Sequence, residues 1–142
     1  MRDAASLDGV PMFAASGHRS WDLQRQIFVA RLQAVSGTPL VSDTVTDEAL
    51  DAVLDSHAPP GFSKHQTGNA IDVAVPNVAL VDFDSTEAFQ WLSQDNFANA
   101  RRFGFVPSYP AGVEGLGPQP EAWEWLWVGL DVLYRCPPEI AN

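Results

Sequence analysis

The residues whose types and spacing suggest chemistry begin with SKHQTGNAID at 63–72, where a histidine and an aspartate flank a glycine-containing turn. Asp72 falls in a segment of strand-like composition and has small alanines on its own face. A carboxylate in such a buried strand needs a cation, hydrogen bonds or a metal as its partner. A turn at Gly68 would fold His65 back against Asp72, and this nitrogen and oxygen pair suits zinc. The alternative is a turn-capping Asp72 beside a surface His65.

A second cluster of carboxylates lies in EAWEWLWVG at 121–129. Strand alternation puts Glu124 on one face and Trp123 on the other, together with the two remaining tryptophans of this stretch. Glu121 has the wrong parity to join Glu124, but the prolines at 118 and 120 predict an irregular backbone, so both carboxylates could converge on one site. The alternative is an exposed edge strand with solvated glutamates. We expect most tryptophans of the chain to lie in the core or in a pocket wall.

A third segment, SGHRSWDLQ at 16–24, places Arg19 in a turn just before a predicted helix. Arginine fixes a carboxylate through two parallel hydrogen bonds, which makes Arg19 a candidate for binding an anionic group. The chain has 8 basic residues against 18 acidic ones, so few other side chains could take this role. The alternative is a surface arginine paired with one of the many acids.

Composition limits the classes of function. A chain of 142 residues with 46% hydrophobic residues fits one globular domain, residues 1–142. The net charge of −10 argues against binding nucleic acid or an anionic membrane surface. No apolar run reaches the roughly 20 residues of a membrane span. Cys136 cannot form an internal disulfide, and we expect it to be a small, at least half-buried side chain.

Helical patterns alternate irregularly with short strand patterns. We predict a helix over 20–37, with Ser20 as its N-cap and Gly37 just past its end. We also predict helices over 46–58 and over 84–104, the second of them with a break near Asp95 and Asn96. The predicted strands are 12–16, 70–75, 104–107 and 123–129, with a long loop over 108–120. Because regular βαβ alternation is missing, this order favours an α+β fold, with helices packed on a small antiparallel sheet.

Taken together, the three segments resemble the VanY-type D-alanyl-D-alanine carboxypeptidases, zinc peptidases that trim peptidoglycan stem peptides. The family pattern is SGYRS…Q, then S-x-H-x-x-G-x-A-x-D, then E-x-W-H followed by an aromatic residue and VG. The segments at 16–24, 63–72 and 121–129 follow this order. The resemblance covers nearly the whole chain and implies a Hedgehog/DD-peptidase-like fold. It also suggests that Met1 lies part-way into the usual family domain.

The resemblance implies a role for each matching residue. His65 and Asp72 correspond to ligands of one zinc ion, and Glu121 corresponds to the catalytic base that acts on the zinc-bound water. The residues expected to bind or polarise the substrate are Arg19, Gln24, Ser63 and Trp123. The implied partner is a peptidoglycan peptide, or another small peptide with a free carboxylate, bound by a monomer.

One position departs from the family pattern in a way that bears on the metal. Glu124 stands where the family has its third zinc ligand, a histidine, and it can still bind metal through oxygen. A site with two histidines and one aspartate leaves a divalent ion with one positive formal charge, whereas His65, Asp72 and Glu124 leave none. A less positive metal is a weaker Lewis acid, so activity should fall or its pH optimum should rise. Exchanging imidazole for carboxylate also favours harder ions such as Mn, Ca or Mg.

Three interpretations stay open at this point. In the first, Glu124 is a ligand in an altered metallopeptidase. In the second, the metal is lost in a homologue that binds a peptide carboxylate through Arg19 without turnover. In the third, the site serves another reaction, or the glutamate is an engineered inactivation. His18 replaces a common tyrosine of the family and should point away from the site. We expect a protein of the bacterial cell envelope, a secreted one, or a phage lysin.

Overall fold

The computed structural model describes residues 1–37, 45–113, 117 and 119–135. Four strands form one antiparallel sheet in the order β1-β2-β4-β3. The strands are β1 (Phe13–Ser16), β2 (Ala70–Ala74), β3 (Phe105–Tyr109) and β4 (Glu121–Trp127). The helices are α1 (Arg2–Leu7), α2 (Trp21–Ser36), α3 (Asp47–Leu54), α4 (Glu87–Arg101) and α5 (Leu130–Arg135). Two 3-10 segments cover Lys64–Thr67 and Leu80–Ser85. The predicted α+β class is confirmed.

The caps of the helices follow from the sequence. The side chain of Ser20 accepts a hydrogen bond from the amide of Leu23 at the start of α2, and Gly37 ends this helix in the left-handed conformation with φ 67°. Both predictions are confirmed. Helix α3 ends at Leu54, earlier than the predicted 58. The predicted break in the last long helix is confirmed, since Asp95 and Asn96 have positive φ inside α4.

The core lies between one face of the sheet and the segments that pack on it. Its buried members are Ala5, Met12, Val73, Phe83, Ala88, Trp91, Leu92, Ala100 and Trp125. A smaller cluster joins α2 to α3. Two tryptophans are exceptions to the prediction that most of them lie in the core or in a pocket wall. Trp21 is 53% exposed at the first turn of α2, and Trp127 is 48% exposed at the end of β4.

Two irregularities in the sheet affect the side chains near its middle. The register of β1 against β2 shifts between Ala14 and Ser16, and that of β3 against β4 shifts between Pro107 and Tyr109. Such bulges turn side chains away from the face that simple alternation predicts.

The predicted loop begins only after β3, and residues 114–116 and 118 of it, like Cys136, lie outside the described residues. Among the described helices, none has the length and hydropathy of a membrane span.

Candidate metal centre and catalytic cleft

His65 lies in the 3-10 segment that leads into β2. Its ring is 1% exposed, and Nδ1 is 2.7 Å from the carbonyl oxygen of Gly17, a contact in which Nδ1 donates. This leaves Nε2 to face the neighbouring carboxylates. Gly68 follows at φ 78°, a left-handed conformation that favours glycine, and it lets the chain turn from His65 into the strand.

The other two members of the centre come from paired strands. Asp72 of β2 and Glu124 of β4 are register partners, and partners of this kind project from the same face of the sheet. The Nε2 atom of His65 is 3.3 Å from Oδ1 of Asp72 and 3.1 Å from Oε2 of Glu124. One candidate ligand atom from each of the three residues lies within 4.8 Å of the others, and all three residues are buried.

The second oxygen of each carboxylate has its own partner. Ser16 donates a hydrogen bond to Oδ2 of Asp72, and Nη2 of Arg19 is 3.9 Å from the same oxygen. Ser108 donates to Oε1 of Glu124 over 2.6 Å. Sequence reasoning missed both serines. Ser16 is the first residue of the segment that contains Arg19, so the sequence could have predicted it. Ser108 reaches the site only through the pairing of β3 with β4.

The donor set fits a single metal ion. In a tetrahedral zinc site with bonds of about 2.0–2.1 Å, neighbouring ligand atoms are about 3.3 Å apart, close to the two distances from His65 Nε2. Oδ1 of Asp72 is buried and, apart from its contact with Nε2 of His65 at 3.3 Å, has no partner among the described residues, as expected for an atom that a cation should satisfy. Three protein ligands leave a fourth position open, the pattern of catalytic zinc. His18 is exposed and does not belong to this cluster.

The electrostatics show how the cluster balances its charge without metal. Burial lowers the pKa of His65, but hydrogen bonds and attraction from Asp72 and Glu124 outweigh burial and raise it to about 10. Burial raises the pKa of Asp72, but His65, Ser16 and Arg19 together bring it below its ordinary value. A proton on His65 therefore occupies the place between the carboxylates that a cation would take.

A cleft of about 400 Å³ opens onto this centre and is lined by the residues that the family resemblance assigns to catalysis and substrate binding. Nη1 of Arg19 donates to Oε1 of Gln24 over 2.9 Å, and Nε2 of Gln24 donates to the carbonyl of Ala58 over 2.6 Å. Burial, followed by the neighbouring Glu124, raises the pKa of Glu121 to about 8. The lining includes Arg19, Gln24, Ser63, Glu121, Trp123 and Glu124.

Trp123 and the two glutamates of β4 all line the cleft. Trp123 also packs, partly buried, against the core cluster that contains Trp125, its neighbour on the same predicted face of the strand. Glu121 joins Glu124 because the register shifts: Pro107 pairs with Trp125 while Tyr109 pairs with Glu121, so β4 has extra residues opposite this short part of β3. The irregular backbone expected here brings the two glutamates together.

Fold and site define an α+β domain with a candidate mononuclear metal centre in a cleft that also holds an arginine and a glutamate. The family description "VanY: D-alanyl-D-alanine carboxypeptidase" matches residues 1–130, and the chain belongs to this family. A D-alanyl-D-alanine carboxypeptidase of Enterococcus faecalis is 32% identical over 130 residues, which is 91% of this chain and 44% of that protein. The chain thus spans less than half the length of this relative.

Two solved structures of similar fold bear on the site. The first is a variant of the vancomycin resistance D,D-pentapeptidase VanY in complex with Zn(II), with 29% identity, a TM-score of 0.71, and coverage of 99% of this chain and 77% of that one. The second is VanYB in complex with D-alanine-D-alanine, with 28% identity, a TM-score of 0.71, and coverage of 94% and 68%.

Proposed function

We propose that this chain is a zinc-dependent D,D-carboxypeptidase-like hydrolase that acts on peptidoglycan stem peptides. The observation that carries the proposal is the convergence of His65, Asp72 and Glu124, with one ligand atom each inside 4.8 Å. The cleft at this centre also holds Glu121 and Arg19. The zinc and the D-alanine-D-alanine bound by the VanY relatives support the choice of metal and substrate.

The chemistry divides between the ion and the protein. Zinc, when bound by His65, Asp72 and Glu124, supplies Lewis acidity for the scissile carbonyl and lowers the pKa of water. Glu121 takes a proton from the attacking water and passes it to the leaving amine, as a general base and then a general acid. Glu121 lines the same cleft as the candidate ligands, where a carboxylate can reach the attacking water.

Arg19 binds the free carboxylate of the peptide or polarises its scissile carbonyl. Gln24 is anchored to the carbonyl of Ala58 and in turn accepts from the guanidinium of Arg19, so the arginine is held in one orientation. Ser63 and Trp123 form part of the wall beside it. This arrangement places a fixed cation in the same cleft as Glu121, as the cleavage of a C-terminal residue requires.

Glu124 also favours a second candidate function. With two carboxylates and one neutral imidazole around a divalent ion, the centre has no net formal charge, which weakens the polarisation of a carbonyl and of water. The second candidate is therefore a homologue that binds a peptide carboxylate through Arg19 but turns it over slowly or not at all. A cell-wall substrate places either form in the bacterial envelope, outside the cell or in a phage lysin, and we propose that it acts as a monomer.

Metal content and product release test the two functions together. We expect about one zinc per chain by mass spectrometry after dialysis against zinc, and release of D-alanine from a stem pentapeptide. Glu121→Gln should retain the metal and reduce release by about 10²–10⁴-fold. Glu87→Gln, at an exposed position on α4, is the matched control and should change neither quantity. Zinc binding without release would support the second candidate, and a chain that binds no zinc would refute the peptidase.

A further inference from the structure

Four side chains form a row across the whole sheet. Ser16, Asp72 and Glu124 are consecutive register partners on β1, β2 and β4. Ser108 of β3 adjoins Pro107, whose partner is the neighbour of Glu124. The two carboxylates therefore come from the central strands, and the two serines that donate to them come from the edge strands.

Ser108 is held more firmly than an ordinary surface serine. Its side chain donates to Oε1 of Glu124 over 2.6 Å, with both residues buried at 3% and 5% exposure. Its carbonyl oxygen accepts a hydrogen bond from Nζ of Lys64 over 2.6 Å, which ties β3 to the residue before His65. The same Nζ lies 3.5 Å from the ring centre of Tyr109. The backbone that carries the Ser108 hydroxyl is thus fixed relative to the candidate centre.

This contact engages one oxygen of Glu124 and leaves the other facing the candidate metal position. Oε1 is engaged by Ser108, while Oε2 is the atom 3.1 Å from Nε2 of His65. Asp72 repeats the pattern, since Ser16 engages Oδ2 and Oδ1 faces His65. In this geometry each residue of the cluster directs one donor atom toward the other two. Calcium requires 6–8 oxygen ligands, often with a bidentate carboxylate, whereas zinc needs four ligands in all.

We propose that Ser108 is a positioning residue that restricts Glu124 to one-oxygen ligation and thereby keeps the centre selective for zinc over calcium. The inference rests on the proposed metal site. The proposed selectivity for zinc is opposite to the general effect of replacing an imidazole by a carboxylate, which moves the metal preference of a site toward harder ions. The Ser108 hydroxyl offsets that effect by denying calcium the second oxygen of Glu124.

Metal titrations of the parent chain, Ser108→Ala and Ser108→Thr test the proposal. We expect Ser108→Ala to weaken zinc binding by about 10–100-fold, the usual effect of removing a group that orients a ligand. Its affinity for calcium should stay the same or rise. Cobalt(II) absorption should change from the intense bands of a four-coordinate ion toward the weak bands of a six-coordinate one. Ser108→Thr retains the hydroxyl and should restore the parent's spectrum.

Controls separate positioning from folding. Thermal melts of the metal-free chains reveal any loss of fold, and Ser85→Ala, at an exposed serine, should leave all metal affinities unchanged. An equal loss of affinity for every metal in Ser108→Ala, or an unchanged cobalt spectrum, would overturn the inference alone. A parent chain that binds no zinc would refute the proposed function as well, so the two failures are distinguishable.

Discussion

Asp72 and Glu124 lie opposite each other on the two central strands, and Nε2 of His65 contacts one oxygen of each, at 3.3 Å and 3.1 Å. The separation of the carboxylates is therefore set by backbone hydrogen bonding and not by a loop. Sites built on strands hold their geometry more tightly than sites built on loops. Of the three candidate ligands, His65 alone comes from outside the sheet, and its contact with the Gly17 carbonyl fixes it there.

The stability of the metal-free protein should fall as pH rises. The folded-state pKa of His65 is raised from 6.5 to about 10, so the stabilisation is fully present below pH 6.5 and is lost as pH rises toward 10. The pKa of Glu121 is raised from 4.5 to about 8, so this group also makes the protein less stable as pH rises from 4.5 to about 8. Zinc must displace the proton on His65, so the increase in Tm that it produces should grow with pH. Thermal melts with and without zinc measure both trends; a metal-free Tm that rises from pH 6.5 to 9 would contradict them.

Glu124→His should give a more active centre. A neutral imidazole restores a positive formal charge to the bound ion, which strengthens its Lewis acidity and lowers the pKa of its water. We expect kcat/KM for D-alanine release to rise about tenfold, equivalent to about 1.4 kcal/mol, and the acid limb of the pH profile to move to lower pH. Glu124→Gln, which removes the charge without supplying a good ligand, is the control and should lose zinc. Lower activity in Glu124→His would show that the centre depends on the carboxylate.

Arg19→Lys should weaken substrate binding although it conserves the charge. Lysine cannot make two parallel hydrogen bonds to a carboxylate or keep the contact with Gln24 in the same geometry. We expect the Kd for a peptide with a free C-terminal carboxylate to rise about 10–100-fold, since hydrogen bonds to charged groups contribute about 1.5–3 kcal/mol. Arg25→Lys, at an exposed position of α2, is the matched control. Calorimetry with the amidated peptide should show little difference between parent and variant; an equal loss with both peptides would argue against carboxylate recognition.

Leu92→Ala should destabilise the fold without changing any residue that lines the cleft. The side chain is 0% exposed in the core, and shortening such a leucine leaves a cavity that costs about 2–5 kcal/mol. Leu7→Ala, at a residue 89% exposed, should change the free energy of unfolding by less than about 0.5 kcal/mol. Urea denaturation of the metal-free chains measures both. Similar changes in the free energy of unfolding for the two variants would mean that Leu92 does not lie in the core.

The sequence predicts the elements well because their signals are local. Ser20 and Gly37 mark the ends of α2 by hydrogen bonding and left-handed backbone geometry, and both act within a few residues. The motif spacing also predicts that His65 approaches Asp72. Side-chain direction in β4 could not be read in the same way, because the bulge opposite Pro107 and Tyr109 depends on a strand that is distant in sequence. For the same reason Ser108 carries no signal in its own neighbourhood.

The row of serines and carboxylates also has a consequence for slow local motion. β1 and β3 are the outer strands of the sheet, and outer strands open in hydrogen exchange before central ones. Fraying at either margin would withdraw a hydroxyl and leave the carboxylates in place. The carboxylates would then lose the hydrogen bonds that orient them while they remained in the site. The rate of metal exchange would therefore follow the rate at which β1 and β3 open locally.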